Sequence, residues 1–275
     1  MRVVLPLLLS TLVGCTAPET VLDADVTRTG DWGSLGPEAV VLEHRAAPAR
    51  VEDRVAYEWI RPEPVAEDAP LVLFVHGGLV PAERYRWIGI HLASRGYVVA
   101  APAHALDLAI FESGNTRAVL DDIERRRGRV PTGAAGHSLG GVIADWAFQD
   151  DPRIEAAALF ASFPAGSGSL PQPGPVLSLS GTTDQSALPS DVQAGAERYP
   201  NARLHFVEGL NHYGWTDDAT ASELEGDGPL DRALPELRED AMRVFDAWLD
   251  ATLKGDADAR ARLDLPFSNV VEDAP

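Results

Sequence analysis

The sequence predicts an α/β fold: a mainly parallel, doubly wound sheet with helices on both faces. Three observations support this prediction. Short apolar runs alternate along the chain with longer segments of helical periodicity. Two of these runs, 71–75 and 156–161, are apolar throughout, as in strands buried on both faces. Strands and helices at this spacing form right-handed crossovers, which produce a parallel sheet.

Each predicted element has a local signal. Alternation marks the second strand, an unbroken apolar run before two glycines marks the third, and Tyr85, Ile88 and Leu92 give the first helix its spacing. The predicted strands are 39–43, 54–60, 71–75, 97–102, 132–136, 156–161, 175–181 and 202–209. The predicted helices are 81–94, 115–127, 139–148, 188–198 and 235–253.

Length and composition predict one domain. A chain of 275 residues, 45% hydrophobic and 24% charged, can bury a substantial core. The sequence from residue 37 onward contains no internal repeat and no linker-like stretch, so we predict a single domain over 37–275. The net charge of −19 repels a phosphate backbone, which disfavours nucleic-acid binding.

The first 36 residues have the layout of an export signal and a tether. One basic residue precedes the apolar run 3–13, and Leu12-Val13-Gly14-Cys15 resembles the lipobox of bacterial lipoproteins. Cys15 is the chain's only cysteine, and we expect it to be acylated. We therefore expect a signal peptide over 1–14, a tether over 15–36 and a membrane partner reached through the lipid. The expected location is the cell envelope, at the periplasmic face of the outer membrane in a Gram-negative source; an ordinary signal peptide is the alternative.

A candidate nucleophile, Ser138, lies in the sequence Gly-His-Ser-Leu-Gly-Gly between a predicted strand and a predicted helix. In this position a serine hydroxyl stands exposed at a helix N-terminus, on a strained turn. The alternative is a glycine-rich turn with an inert serine. In this context the stretch resembles the signature of the α/β-hydrolase superfamily, which implies the α/β-hydrolase fold and a nucleophilic role for Ser138.

The same resemblance implies a histidine base and a carboxylate, in the chain order Ser-acid-His. Only His205 and His212 follow Ser138; His205 lies inside a predicted strand, whereas His212 lies just beyond its end. We therefore expect His212 to be the base. The family places the acid after strand 175–181 or the strand before it, and 161–174 contains no acidic residue. This leaves Asp184, with Asp191 as its nearest competitor.

The superfamily also implies two backbone donors for an oxyanion. We expect the N–H of Leu139, next to the nucleophile, and that of Gly78, because His76-Gly77-Gly78 resembles the family's His-Gly-x loop. Leu79 is a near alternative. His76 is expected to order this loop, and His137 to pack beside the turn that carries Ser138.

Five stretches, FVHGGL, GYVVAAPAH, GHSLGG, GTTDQ and GLNHYGW, are similar to one branch of the superfamily. It contains dienelactone hydrolases, platelet-activating-factor acetylhydrolases and cutinase-like polyester hydrolases, and the similarity spans 70–256. Relatives often have Asp before the histidine equivalent to His104, whereas this chain has Ala103. Dienelactone hydrolases use a cysteine nucleophile, and the only cysteine of this chain, Cys15, belongs to the expected lipobox, so that activity is not expected.

The resemblance implies a serine esterase that needs no cofactor and acts on a small-molecule or polymeric ester. The interval between strands 156–161 and 175–181 is too short for a cap domain, so we expect an open site. Phe163, Tyr213 and Trp215 either line an acyl cleft or pack the loops.

The acidic segment 217–231 lacks calcium-loop spacing and is expected to be a solvated loop, and no cluster has metal-ligand spacing. Two other functions stay open: an amidase or peptidase with the same triad, and a noncatalytic binding protein of the cell envelope.

Overall fold

A ten-stranded sheet organises the part of the chain that the computed structural model describes, namely residues 20–22, 35–48, 54–104, 107, 113–164 and 174–275. The strand order is β1-β2-β3-β5-β4-β6-β7-β8-β9-β10. The strands are β1 Thr20–Leu22, β2 Ala39–Pro48, β3 Arg54–Glu63, β4 Leu71–Val75, β5 Val98–Pro102, β6 Thr132–His137, β7 Ala156–Phe160, β8 Val176–Gly181, β9 Ala202–Val207 and β10 Val270–Val271.

The six central strands, β5, β4, β6, β7, β8 and β9, run parallel. Strands β1, β2, β3 and β10 pair antiparallel at the two edges. The predicted mainly parallel sheet is confirmed. Because the central strands run parallel, their carboxyl ends all lie at the same end of the sheet. Ligands bind at this end in sheets of this kind.

The described helices lie on both faces of the sheet. They are α1 Arg86–Ala93, α2 Ser113–Arg127, α3 Leu139–Asp150, α4 Pro189–Ala196, α5 Ala221–Glu225, α6 Leu234–Leu253 and α7 Ala257–Arg262. Two 3₁₀ turns, Ala82–Tyr85 and His212–Trp215, accompany these helices.

The core forms two main layers because strand β4 alternates its side chains between the faces. Val72 and Phe74 pack with residues of α1 and α6, including Trp87 and Phe245. The intervening Leu71, Leu73 and Val75 pack on the other face with residues of α2 and α3, such as Ile123 and Phe148. All five β4 residues are buried, which explains why the strand reads as an unbroken apolar run.

The structure adds elements at places where the sequence predicted none. Strand β1 lies inside the expected tether and pairs with β2, so these three residues join the sheet. Leu35 packs against the core and the Gly36 N–H donates to Ser94 Oγ (2.8 Å), so the folded domain starts slightly before residue 37. Cys15 and the expected signal peptide lie outside the described residues. Among the described helices, none combines the length and the apolarity that crossing a bilayer requires.

The acidic segment 217–231 is mostly exposed, as the sequence predicted, but it is not entirely a loop. It contains α5, which begins with a capping box between Thr220 and Glu223. The Arg84 guanidinium forms an ion pair with the Glu223 carboxylate (2.8 Å), and this pairing, together with the capping contacts of Thr220, lowers the pKa of Glu223 to about 2. The segment is therefore held against the turn that follows β4.

Candidate active site

Ser138 occupies the sharp turn between β6 and α3. Its backbone dihedrals, φ 53° and ψ −123°, lie in a region that non-glycine residues rarely adopt. The turn stays in place because the N–H of Ser138 donates to the carbonyl of Phe160 on β7 (2.9 Å). It also needs a glycine at position 140, where a Cβ would lie 2.2 Å from the Val75 carbonyl oxygen. The local geometry presents the half-buried Ser138 at the N-terminus of α3.

His212 and Asp184 are brought together from the ends of β9 and β8. His212 Nδ1 lies 3.0 Å from Asp184 Oδ2, and both side chains are buried. The other carboxylate oxygen, Oδ1, accepts the N–H groups of Ser186 (2.9 Å) and Ala187 (2.7 Å). These contacts hold the Asp184 carboxylate in place, and the carboxylate in turn holds the orientation of the His212 imidazole.

The imidazole of His212 lies over the residue that precedes Ser138. The ring centroids of His137 and His212 are 4.5 Å apart, at an interplanar angle of 48°. No hydrogen bond joins Ser138 to His212 within the described part of the chain. Such contacts are often long in structures without substrate, so this arrangement is compatible with proton transfer once a substrate is bound.

His137 is held neutral beneath His212. Complete burial lowers its pKa well below the usual value, and the nearby His212 lowers it further. Its Nδ1 lies 2.8 Å from the Tyr85 hydroxyl, which also accepts the Gly77 N–H (3.1 Å). The phenol therefore accepts from the loop after β4 and is free to donate its own proton to His137. A neutral ring at this position places no positive charge against a protonated His212.

The loop after β4 approaches the start of α3, as an oxyanion site would require. A Cβ on Gly78 would lie 3.1 Å from Leu139 Cδ2. Leu139 is the first residue of α3, so its N–H has no acceptor within the helix. The N–H of Leu79, the alternative donor, is engaged with the Asp107 carbonyl (2.8 Å). The geometry therefore favours Gly78 over Leu79.

Two buried histidines support this loop from below. His76 Nδ1 lies 2.9 Å from its neighbour's carbonyl, that of Gly77, and His76 Nε2 lies 2.8 Å from His104 Nδ1. Burial lowers the pKa of both, and that of His104 falls to about 3 because the His76 ring also opposes its protonation. The stretch containing Ala103 thus contributes His104 to the support of this loop.

The aromatic side chains expected near the site differ in their placement. Phe163 is 40% exposed and Tyr213 is half-buried. Trp215 is fully buried and stacks on Phe160, with ring centroids 4.7 Å apart and an interplanar angle of 12°. Trp215 is therefore a core residue, so of the two roles left open for it the structure supports packing rather than lining an acyl cleft.

Residues that hold the His212 turn were not identified from the sequence. Asn211 Oδ1 accepts the Gly214 N–H (2.9 Å), which caps the turn. The buried Arg238 donates to the carbonyls of Gly214 (3.0 Å) and Thr216 (2.7 Å). A signal was present, because Arg238 sits four residues after Leu234 and three before Ala241, within the apolar stripe of α6. An arginine on such a stripe indicates a buried polar partner.

Comparison with known families identifies one match. Residues 71–228, more than half of the chain, match the model of the Alpha/beta hydrolase family. The matched range starts at β4 and includes Ser138, Asp184 and His212. A comparison with curated proteins found no match. No group of three or more His, Cys, Asp or Glu side chains within the described ranges is arranged to hold a metal ion.

Proposed function

Because the chain belongs to the alpha/beta hydrolase family, we propose that it is a serine hydrolase that cleaves carboxylic esters through an acyl-enzyme. The observation that carries the proposal is the convergence at one sheet edge of a strained serine turn and a buried, carboxylate-bound histidine. These are the parts that nucleophilic acyl transfer needs.

Each proposed group has a defined part in the reaction, and His212 acts first as a base and then as an acid. Ser138 Oγ attacks the ester carbonyl carbon while His212 Nε2 takes the hydroxyl proton. The N–H groups of Gly78 and Leu139 stabilise the oxyanion, and Asp184 stabilises the imidazolium. His212 then donates the proton to the departing alkoxide, which leaves the acyl group on Ser138. Water activated by His212 releases the carboxylic acid and restores the hydroxyl.

Two exposed apolar side chains in the loops after central strands support a substrate with an apolar part. Leu79, next to the proposed donor Gly78, is 72% exposed, and Phe163, three residues after β7, is 40% exposed. Exposed apolar side chains in these loops favour an apolar acyl group or a polymer surface over a charged substrate. A series of p-nitrophenyl esters of increasing chain length, with a polyester film, would define this preference.

The central test is removal of the proposed nucleophile. Ser138→Ala should abolish the burst and turnover on p-nitrophenyl acetate and prevent labelling by a fluorophosphonate, because the covalent intermediate needs Oγ. We expect kcat to fall by roughly 10⁴-fold or more.

The matched control is Ser178→Ala. Ser178 is buried in β8 and its hydroxyl has no hydrogen-bond partner in the described structure, so its loss should leave turnover unchanged. Undiminished turnover in Ser138→Ala would refute the proposal. Equal cleavage of p-nitroanilides would favour the amidase, and a wild-type protein that resists fluorophosphonate would favour the binding protein.

We also propose that Cys15 carries a lipid that anchors the enzyme in the cell envelope. Cys15→Ser should move the protein from the membrane fraction to the soluble fraction, because the acyl chains supply the membrane affinity. Thr16→Ser leaves the cysteine intact and should stay with the membrane. Unchanged partitioning of Cys15→Ser would contradict the anchor.

A further inference from the structure

Asp227 links the two loops that carry the proposed acid and base. Its Oδ1 accepts the N–H of Gln185 (3.1 Å), and its Oδ2 accepts the N–H of Tyr213 (2.9 Å). Gln185 directly follows Asp184, and Tyr213 directly follows His212. One half-buried carboxylate therefore binds the backbone on the C-terminal side of both residues.

Gly228 links the same loops on their other side. Its carbonyl accepts a hydrogen bond from Asn211 Nδ2 (2.6 Å), and Asn211 directly precedes His212. A Cβ on Gly228 would lie 1.9 Å from the carbonyl oxygen of Thr183, which directly precedes Asp184. The Asp227-Gly228 pair is thus wedged between the acid loop and the histidine turn, and only glycine fits the second position.

This wedge acts where small movements matter. A single 3.0 Å contact joins His212 Nδ1 to Asp184 Oδ2, and the two residues come from different strand ends. A shift of about 1 Å in a reacting group can reduce a rate by about 100-fold. Fixing the backbone beside both residues therefore keeps the imidazole in its productive orientation.

The surroundings favour this role over cation binding. Both Asp227 oxygens accept backbone N–H groups, and Oδ1 also accepts the Gly228 N–H (2.9 Å). Donors at these positions repel a cation. Within the acidic segment 217–231, the Asp227 carboxylate therefore accepts backbone amides and does not bind a cation.

We propose that Asp227 is a positioning residue for the Asp184–His212 pair, an inference that rests on the proposed serine-hydrolase function. It does not contact the reacting atoms. Its carboxylate acts by holding the Gln185 and Tyr213 amides in fixed relation.

The first experiment measures kinetics. Asp227→Ala should lower kcat on p-nitrophenyl acetate by roughly 10- to 100-fold and leave KM within about twofold, because the base is misplaced while Asp227 itself takes no part in substrate binding. Asp227→Asn keeps one acceptor oxygen and should lose less.

The matched control is Asp256→Ala. Asp256 also accepts two backbone amides with one carboxylate, those of Asp258 (2.8 Å) and Ala259 (3.0 Å), but at the start of α7. Its loss should leave kcat unchanged. An equal loss of kcat in the two alanine variants would show a general effect on folding and overturn the proposal.

A second readout does not depend on esterase activity. An imidazole N–H bound to a carboxylate gives a far-downfield proton resonance, which is assigned to His212 by its loss in His212→Gln. This resonance should weaken or shift in Asp227→Ala and stay in place in Asp256→Ala and Ser138→Ala. If wild type shows the resonance but no Ser138-dependent hydrolysis, the proposed function fails. If Asp227→Ala keeps both the resonance and a wild-type kcat, the role of Asp227 fails alone.

Discussion

The Tyr85 hydroxyl joins the two loops that meet at the proposed oxyanion site. It accepts the Gly77 N–H and hydrogen-bonds His137 Nδ1, so one oxygen spans the loop after β4 and the turn of Ser138. Tyr85 is 2% exposed, and burial raises its pKa, which keeps the phenol protonated. A protonated phenol keeps His137 as an acceptor and neutral.

Removing this hydroxyl should impair catalysis more than binding. Tyr85→Phe leaves two buried polar groups without a partner, at a cost of about 2 kcal/mol in the free energy of unfolding. The Gly78 N–H then loses its fixed position. We expect kcat to fall by about tenfold, which is less than the loss of a whole oxyanion donor, with KM nearly unchanged.

Tyr97→Phe is the control for this prediction. Tyr97 is also buried, and its hydroxyl donates to Asp250 Oδ1 (2.6 Å). Tyr97 directly precedes β5, at the end of the sheet where the central strands begin, whereas Ser138 lies at the end where they finish. Urea denaturation should show a loss of stability in both variants, whereas only Tyr85→Phe should lose kcat. Equal kinetic losses would contradict the local role of Tyr85.

At the scale of single residues, the sequence identified the candidate residues and two supporting histidines, His76 and His137, but not the supporting Tyr85 and Asp227. Ser138 was predicted from a local pattern, and its strained φ is a local property of the turn. Tyr85 and Asp227 belong to no motif. Tyr85 lies 52 residues from His137 along the chain, and Asp227 lies 42 residues from Gln185. Their contacts exist only after the strands are ordered.

At the scale of elements, the helices and strands with a clear apolar pattern were predicted, whereas the elements of two or three residues were not. Helix α6 was expected from residue 235 and begins at Leu234, and β4 has its expected bounds. Strand β10, in contrast, has two residues and exists because it pairs with β9. Two residues carry no period, so pairing alone decides their structure.

The acidic segment shows the same limit. Its composition is typical of a solvated loop, yet Arg84 fixes it: the guanidinium pairs with Glu223 and also donates to the carbonyl of Asp217 (2.7 Å). Arg84 is more than 130 residues away in the chain. The order of this acidic segment therefore depends on Arg84, a positively charged side chain from a distant part of the chain.

For the whole molecule, buried neutral histidines set the response to acid. Burial lowers the pKa of His76, His104, His137 and His205, and that of His205 falls to about 4. In the unfolded chain these groups titrate near 6.5. The unfolded state therefore binds more protons below this pH, and stability that is present above pH 6.5 is lost as the pH falls toward 4.

His205 offers a test of this behaviour away from the proposed site. The His205 ring packs edge-on against Phe267, with centroids 5.9 Å apart, and its Nε2 has no partner in the described structure. His205→Phe keeps a ring and removes the titration. When the pH is lowered from about 7.5 to about 5, the urea concentration at the midpoint of unfolding should decrease less in His205→Phe than in wild type. Identical pH dependence in the two proteins would contradict the assignment.

The sequence by itself determined the α/β class and the positions that follow each strand, because apolar periodicity and turn residues act over a few neighbouring residues. Only the tertiary structure decided that Trp215 joins the core, that Leu79 donates elsewhere, and that Asp227 and Tyr85 hold the loops. The physical reason is the strand order. The strand order β4-β6-β7-β8-β9 brings the carboxyl ends of these strands to the same end of the sheet, and the contacts among their loops depend on that packing rather than on any local pattern.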